Sequence, residues 1–560
     1  MNKIAFSVGQ AAETAVMAVN ADATLTSASG GASVFAGLVI SRRGQPGKVL
    51  SVTSATYSSV LGEPIHPRMG ASFEPYRHVE RAVAGGNGVV VRVCAPDMKI
   101  PGLSLAIGAS AYDADNVAVE SVSLGSSSLD LVEGSALNFE LSEIDSEEGL
   151  ITSEVTFGPH VVPELPDGAV LMLYIKDGDA SANRTLSIET EEDSDLFTIY
   201  LREVLADGSV SVLESHQASL NPYSVTDMGE PAWLQTVLEN GSTRLAALVA
   251  DDAEEVLAEV DLNLPQTYFT GGSDGDLSGI TSKEYLTALT TLENSNVNFT
   301  ALLSLGCYDA TVLAALNTLA EEVRVDMFYD LKGNQLAEKA ISEAESHGLS
   351  GSHQPARYYF PYSCRDKSTS MNVVFGISCD AFVAKAKGVA LIPDVGGWHY
   401  APAGSSRGVI SRQNITPIAN LDVIDREAFV KARINPVCIG SDGSVVIDDS
   451  LTTYGKNNYL RFQHVSSLMN AIARDFYAIA QAVKHEPDGV TQKSLTDAMS
   501  NLLDRYFAAD ALVKPRDDSQ GTEPYILTVK QLEIDYWQVE WAVCPTGTAR
   551  RIIGKPILMR

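Results

Sequence analysis

Basic side chains are scarce where this sequence is most acidic. The 560 residues include 71 Asp and Glu but 40 Lys and Arg, and 32 of the acidic residues fall within 111–270, beside four basic residues. That stretch carries a formal charge of −28 of the total −31. Nucleic acid needs a basic footprint, so it is excluded as a partner. Like charges at this density repel over roughly 8–10 Å, so we expect the stretch to face water rather than its own copies.

The sequence also lacks the marks of a zinc site, a secreted protein or a membrane protein. None of the six cysteines forms a CxxC pair, which favours buried thiols in a reducing cytoplasm over a zinc site or a disulfide framework. The first residues have no charged segment followed by an apolar run, so we expect no secretory signal. Residues 23–41 are uncharged but rich in Ser, Thr and Gly, and would be a poor membrane span. A soluble chain without membrane insertion is predicted.

Motifs for cofactors and metals are missing as well. No GxxxxGK[ST] occurs, so no loop is available to hold phosphate, and we expect no nucleotide cofactor. The "DGD" at 177–179 begins like a calcium loop, but Ala182 stands where glycine is needed and Ile188 where a bidentate Glu is needed. We therefore predict no metal site. His399, beside a tryptophan, is interpreted as structural.

Two stretches match the G-x-S-x-G pattern of serine hydrolases, at 271–275 and 404–408. A nucleophile elbow needs a buried strand before the serine and a helix after it, and neither stretch has both. We expect a protein that is not an enzyme. A serine hydrolase using Ser273 or Ser405, such as a depolymerase, remains the alternative from another functional class.

The remaining pattern predicts a multidomain α/β (α+β) protein. Strands and helices alternate strictly from 281 to 362, beginning with a capping box at Thr281 and Glu284, which indicates parallel strands with crossover helices. Short alternating apolar runs separated by Asp-Gly and Ser-rich turns make the acidic stretch mostly β and an insertion. The predicted divisions are an N-terminal arm at 1–22, a first core part at 23–96, the insertion at 97–264, a second core part at 265–545, and a C-terminal arm at 546–560.

Near its end the chain has two amphipathic helices, at 462–483 and about 495–506, that we expect to pack antiparallel. After them, Leu532 and Tyr536 share one strand face, while Trp537 and Val543 continue on the other parity. This slip of phase predicts one long strand with a β-bulge or with both faces covered. A basic and apolar tail follows.

Several motifs, taken in order, resemble the sheath proteins of contractile phage tails and of R-type bacteriocins. They are "FTGGSDG" at 269–275, "ARYYFPYS" at 356–363, "DVGGWHYAPAG" at 394–404 and the closing "VEWAVCPTGTARRIIGKPILMR", with residues 35–64 similar to the family's opening strand, loop and helix. The resemblance covers roughly 30–96 and 265–560. Its motif positions, with an expected structural role, are Gly271, Gly272, Asp274, Gly275, Trp398, Pro402 and Gly404.

The resemblance implies a core built from both ends of the chain, with the insertion projecting outward. It implies hexameric rings stacked as a helical tube in the virion, assembled in the host cytoplasm, with the tail tube, baseplate and tail terminator proteins as partners. It also implies that extended terminal arms add strands to neighbouring subunits. The arm residues expected between subunits are Ile4, Phe6 and Val8 at the start and Arg551, Ile552, Ile553, Pro556, Ile557 and Leu558 at the end. A baseplate component with a sheath-like core is a further alternative.

Overall fold

A computed structural model gives the fold of the chain. It describes residues 33–107, 111–112, 118–119, 122–130, 139–143, 151–155, 165, 169–181, 183–190, 194–205, 207–226, 228–257, 262–418, 425–517, 519 and 521–550. The predicted arm residues between 1 and 22 and between 551 and 560 lie outside these ranges. All six cysteines lie inside them as free thiols, three buried and three half-buried.

The first part of the chain forms three strands and two helices. The apolar runs make the strands, and the second helix ends at Ala82, three residues before Gly85. The elements are β1 (Val34–Val39), β2 (Val49–Val52), α1 (Tyr57–Leu61), α2 (Glu74–Ala82) and β3 (Asn87–Arg92).

The acidic stretch is mostly β in the described residues, because its apolar side chains alternate between Asp-Gly and Ser-rich turns. Its larger sheets have the orders β14-β10-β4-β7 and β13-β12-β11-β15, and they enclose one shared apolar core. The elements are β4 (Lys99–Ile107), β5 (Ala111–Tyr112), β6 (Ala118–Val119), β7 (Val122–Asp130), β8 (Phe139–Glu143), β9 (Ile151–Val155), β10 (Ala169–Ile175), β11 (Arg184–Thr190), β12 (Phe197–Val204), β13 (Val210–Ala218), α3 (Leu234–Gly241), β14 (Leu245–Val249), α4 (Ala253–Val256) and β15 (Leu264–Tyr268).

Alternating helices and strands follow, and the predicted capping box at Thr281 and Glu284 is confirmed at the start of the first helix. The elements are α5 (Ser282–Glu293), β16 (Ala301–Leu303), α6 (Ala310–Val323), β17 (Asp326–Leu331), α7 (Ala337–Ser346), β18 (Pro355–Tyr359), β19 (Tyr362–Arg365), β20 (Asn372–Val373), α8 (Ser378–Val389), β21 (Thr416–Pro417), α9 (Arg426–Lys431), β22 (Ile434–Ile439), β23 (Val445–Ile447), α10 (Gln463–Val483), α11 (Asp488–Ala508), β24 (Tyr525–Glu533) and β25 (Tyr536–Val543).

One eight-stranded sheet organises the body of the molecule in the order β2-β3-β1-β16-β17-β18-β22-β23. The two edge strands are antiparallel to their neighbours, and the six between them run parallel. Phe35 of β1 lies beside Ala301 of β16, so strands from either side of the acidic stretch are neighbours. Successive residues of β17 point to opposite faces, where Met327 packs with Leu316 of α6 and Phe328 with Phe382 of α8. The sheet is thus covered by helices on both faces.

The last part of the chain corrects one sequence prediction. Residues 525–543 form a hairpin, β24 and β25, and not one long strand, with Glu533 paired to Tyr536 across a two-residue turn. The pairing register also shifts between Gln531 and Glu533, as at a β-bulge, so a bulge is present within the hairpin and the error concerns the single long strand. The reversal of the chain and this register shift together account for the slip of apolar phase. Tyr525 and Trp541 face α10 and α11, which pack against each other in the same apolar cluster.

Candidate functional site

The motif at 269–275 lies where the chain returns from the acidic stretch to the body. Ser273 pairs with Lys99 at the other end of the stretch, and each backbone N–H donates to the partner's carbonyl, at 2.8 and 2.9 Å. Gly271 and Gly275 have φ angles of +84° and +70°, which favour glycine. A Cβ on Gly275 would lie 2.4 Å from Asp97 Oδ1. The motif glycines therefore let the two strands cross into the body side by side.

Asp274 in the same motif joins the acidic stretch to the body through two arginines. Arg92 Nη2 donates to Asp274 Oδ1 at 3.2 Å, and Arg42 Nη1 donates to Oδ2 at 2.9 Å. The Arg92 side chain is 1% exposed, and its Nη1 also donates to the carbonyl of Gly178 at 2.7 Å. Burial raises the pKa of Asp274, although the two arginines act in the opposite direction. Asp274 is thus the main counterion of a buried guanidinium.

Asp177 and Asp179, the carboxylates of the stretch whose sequence begins like a calcium loop, accept hydrogen bonds from arginines. Asp177 accepts two hydrogen bonds of 2.9 Å from Arg184, and Asp179 accepts one of 2.5 Å from Arg43 Nη2. Although burial acts to raise it, the charges of Arg184 and Arg43 hold the pKa of Asp179 below its usual value. Arg43 belongs to the body and Arg184 to the acidic stretch. We call this set the junction cluster: Arg42, Arg43, Arg92, Asp177, Asp179, Arg184 and Asp274.

The loop at 394–404 is packed between the body and the C-terminal helices. Trp398 is 3% exposed in the apolar cluster of α10 and α11, and the Arg474 guanidinium lies 5.1 Å from its ring centroid. Pro402 is buried. Gly404, with φ +82°, donates its N–H to the carbonyl of Ile447 at 2.9 Å. The loop therefore covers the outer edge of β23.

Neither candidate serine lies on a nucleophile elbow. Ser273 is held in the β-bridge with Lys99, and its Oγ accepts a hydrogen bond from the N–H of Gly275 at 3.1 Å. Ser405 lies in an exposed turn that is followed by an extended segment. His399 is buried against the ring of Tyr400, and this burial lowers its pKa to about 4. In the described part of the chain, no group of three or more His, Cys, Asp and Glu side chains is placed to hold a metal ion.

The hairpin of β24 and β25 has one buried and one exposed face. Trp541 is 6% exposed and lies 4.8 Å from the ring of Phe476 in α10. Ile526, Leu532 and Ile534 are 55%, 49% and 89% exposed. The hairpin is a two-stranded sheet, so within the described residues each of its strands has one unpaired edge. Unpaired edges next to exposed apolar side chains are suited to accept another strand.

The segment after the hairpin runs back along the body. Cys544 N–H donates to the carbonyl of Pro524 at 3.0 Å, and Thr546 N–H to that of Ala511 at 2.9 Å. Arg550, the last described residue, donates from Nε to Asp449 Oδ1 at 2.7 Å and from Nη2 to Oδ2. The hydrogen bonds and charge of Asp449 raise the pKa of Arg550. The predicted C-terminal arm residues follow directly.

The sequence motifs include Asp274 and, in the stretch at 35–64, Arg42, but they do not include Arg92 and do not indicate that these residues meet. Arg42 and Arg92 lie 232 and 182 positions away along the chain, so no local pattern connects them. The importance of Arg184 could have been predicted from the sequence, because it is one of only four basic residues in a stretch with 32 acidic residues. An isolated cation in such a setting is expected to have a specific carboxylate partner.

No protein-family profile and no curated protein matches the sequence. Solved structures do match. The sheath tail protein from Listeria innocua is similar over 93% of this chain and 94% of its own, with a TM-score of 0.53 and 10% identity. The sheath tail protein from Desulfitobacterium hafniense matches over 92% and 97%, with a TM-score of 0.46 and 12% identity. The described residues include no helix long and apolar enough to span a bilayer.

A third similar structure is the contracted PVC sheath complex of an extracellular contractile injection system. It matches 48% of this chain and 72% of its own, with 18% identity and a TM-score of 0.38. At 10% identity, what the chain shares with the Listeria innocua protein is the mixed α/β architecture. The resemblance to tail sheath proteins that the sequence motifs predict is therefore confirmed at the level of the fold.

Proposed function

We propose that this chain is a structural subunit of a contractile tail sheath. Its subunits polymerise as stacked hexameric rings around a tail tube, and the polymer contracts to drive the tube through the host envelope.

The observation that carries the proposal is the similarity in fold to the sheath tail protein from Listeria innocua, which extends over more than nine-tenths of both chains with a TM-score of 0.53. In this proposal the protein has no catalytic activity and needs no cofactor. Its partners are its own copies, the tube protein, the baseplate and the tail terminator.

The terminal arms link the subunits in this proposal. Residues 1–22 and 546–560 are assigned as arms, and Ile4, Phe6 and Val8 with the apolar residues of 552–558 contact neighbouring copies. The β24–β25 hairpin is the acceptor that the structure favours, because its edges are unpaired among the described residues. Its turn also carries Glu533 and Asp535, which suit the basic tail. Main-chain pairing of this kind is β-augmentation.

Strand exchange would let the bodies rotate without separating. A backbone ladder ties one strand to another and needs no fixed side-chain interface between the bodies. A heterologous contact repeats through the whole polymer, so each subunit needs to contribute only a few kcal/mol to contraction. A baseplate signal releases the extended form into the contracted one. No nucleotide is required for such a stored-energy device.

The acidic insertion at 97–264 faces outward in this assignment. Its −28 formal charge between 111 and 270 keeps neighbouring insertions apart and keeps assembled tubes soluble. The core parts at 23–96 and 265–545 then form the wall of the tube. The assembled protein resides in the virion after assembly in the host cytoplasm.

Electron microscopy of the purified chain tests the assignment. Long tubes or stacked rings are expected. Discrete small particles would favour a baseplate component instead, and stoichiometric labelling of Ser273 or Ser405 by a fluorophosphonate would favour a hydrolase. Deleting 1–22 or 551–560 is expected to abolish tubes while thermal unfolding of the body stays unchanged. Tubes formed by both truncated chains would show that the arms are not the links.

A further inference from the structure

Beyond Thr546, one ion pair fixes the root of the C-terminal arm to the body in the described residues. Backbone hydrogen bonds hold Cys544 and Thr546, whereas residues 547–549 are exposed and make no hydrogen bond within the described residues. Arg550 then forms its two-bond ion pair with Asp449, which follows β23. The side chains of Arg550 and Asp449 are 29% and 11% exposed. This ion pair is therefore the last contact between the arm and the body in the described part of the chain.

A cavity of about 520 Å³ lies beneath residues 546–550. The same cavity is also lined by His399, His464 and Asp510. Residues 547–550 therefore border open space on this side. Among the described residues, the hydrogen bonds from Arg550 to Asp449 are the ones that hold these four residues to the body.

We propose that Arg550 and Asp449 form a clip that sets where residues 551–560 leave the subunit, and that those residues need it to pair with a second copy of this chain. The inference rests on the proposed function and adds a positioning device to it. Ten extended residues span at most about 33–36 Å, so the acceptor strand must lie within that distance of Asp449. A root that moves freely lowers the effective concentration of the arm at its acceptor.

The clip can be tested first in the isolated subunit. Asp449→Asn keeps the side-chain shape but removes the charge that holds Arg550. We expect trypsin to cleave at Arg550 and Arg551 about tenfold faster in this variant, because charge-assisted hydrogen bonds at the root are lost. The matched control is Asp394→Asn, which breaks the exposed Arg505–Asp394 pair on α11 and is expected to leave this rate unchanged. Equal rates of trypsin cleavage in the wild type and in Asp449→Asn would show that the ion pair does not hold the root of the arm.

Polymerisation tests the second half of the inference. Asp449→Asn and Arg550→Gln are each expected to raise the critical concentration for tubes about tenfold, as measured by sedimentation. The exchanged pair, Asp449→Arg with Arg550→Asp, is expected to restore it to within about threefold. Two single variants that assemble like the wild type would overturn the role of the clip and leave the sheath assignment standing. A wild-type chain that forms no tubes, but whose clip passes the protease test, would overturn the sheath assignment and the role of the clip in it.

Discussion

Asp274→Asn tests how the acidic stretch is held on the body. The substitution keeps the size of the side chain and removes the charge that faces Arg92. Arg92 stays ionised, because an arginine is not deprotonated in proteins. With 1% of its side chain exposed, it keeps the carbonyl bonds to Gly44 and Gly178 but loses its carboxylate. Breaking a buried ion pair on one side costs about 3–5 kcal/mol, but the variant also removes the burial penalty that raises the pKa of Asp274, so the expected net loss is smaller, about 2 kcal/mol.

The loss can be measured as a shift in thermal unfolding. In domains of this size a change of 1 kcal/mol moves Tm by about 2–4 °C, so Asp274→Asn is expected to lower Tm by about 4–8 °C. Hydrogen exchange should rise in the paired backbone of Lys99 and Ser273. Asp394→Asn, whose ion pair with Arg505 is largely exposed, should change Tm by less than about 4 °C. Equal shifts in the two variants would refute the view that Asp274 stabilises the junction by compensating a buried charge.

Three further perturbations have expected outcomes. Burial acts to raise the pKa of Glu214, but hydrogen bonds, led by that from His216, lower it to about 2. The stability that this lowered pKa contributes is fully present above the ordinary value of 4.5 and is lost as the pH falls toward 2. The Tm of Glu214→Gln should therefore fall less than that of the wild type between pH 4.5 and pH 2. Asp475 has both carboxylate oxygens buried without a partner among the described residues, and burial raises its pKa to about 8. Since an acid with a raised pKa destabilises the fold increasingly as pH rises toward that value, Asp475→Asn should raise Tm, with a gain that widens from pH 5 to pH 8. Trp541→Ala should cost about 3–5 kcal/mol in denaturant unfolding, against about 0.5 or less for Ile534→Ala on the exposed face.

Periodicity predicted the elements whose signal is local. The capping box at Thr281 and the alternating strands and helices up to Tyr359 follow from side-chain spacing, because a helix or strand buries one face within a short window. Residues 525–543 were wrongly predicted as one long strand for the same reason. The turn at Ile534 and Asp535 contains no glycine, so the pattern indicated the irregularity near Gln531 and Glu533 but not the reversal of the chain.

The junction cluster could not be predicted from such windows. Asp274 was singled out by its motif, but its partners Arg42 and Arg92 are brought to it by the crossing of two distant chain segments. The pairing of Arg184 with Asp177 across seven positions depends on the turn between β10 and β11. Long-range ion pairs are set by tertiary packing, and a sequence without aligned relatives carries little trace of them.

The bridge between Lys99 and Ser273 makes the body a natural scaffold for grafting. Residues that exchange both backbone hydrogen bonds across antiparallel strands have Cα atoms about 5.5 Å apart. The segment between Lys99 and Ser273 therefore begins and ends at neighbouring points on the body. A foreign domain whose own termini lie that close can be spliced in at 100 and 272 without stretching the β1–β16 pairing beneath it. Related chains can exchange the acidic module by the same route, and an engineer can attach one foreign domain to each copy of this chain.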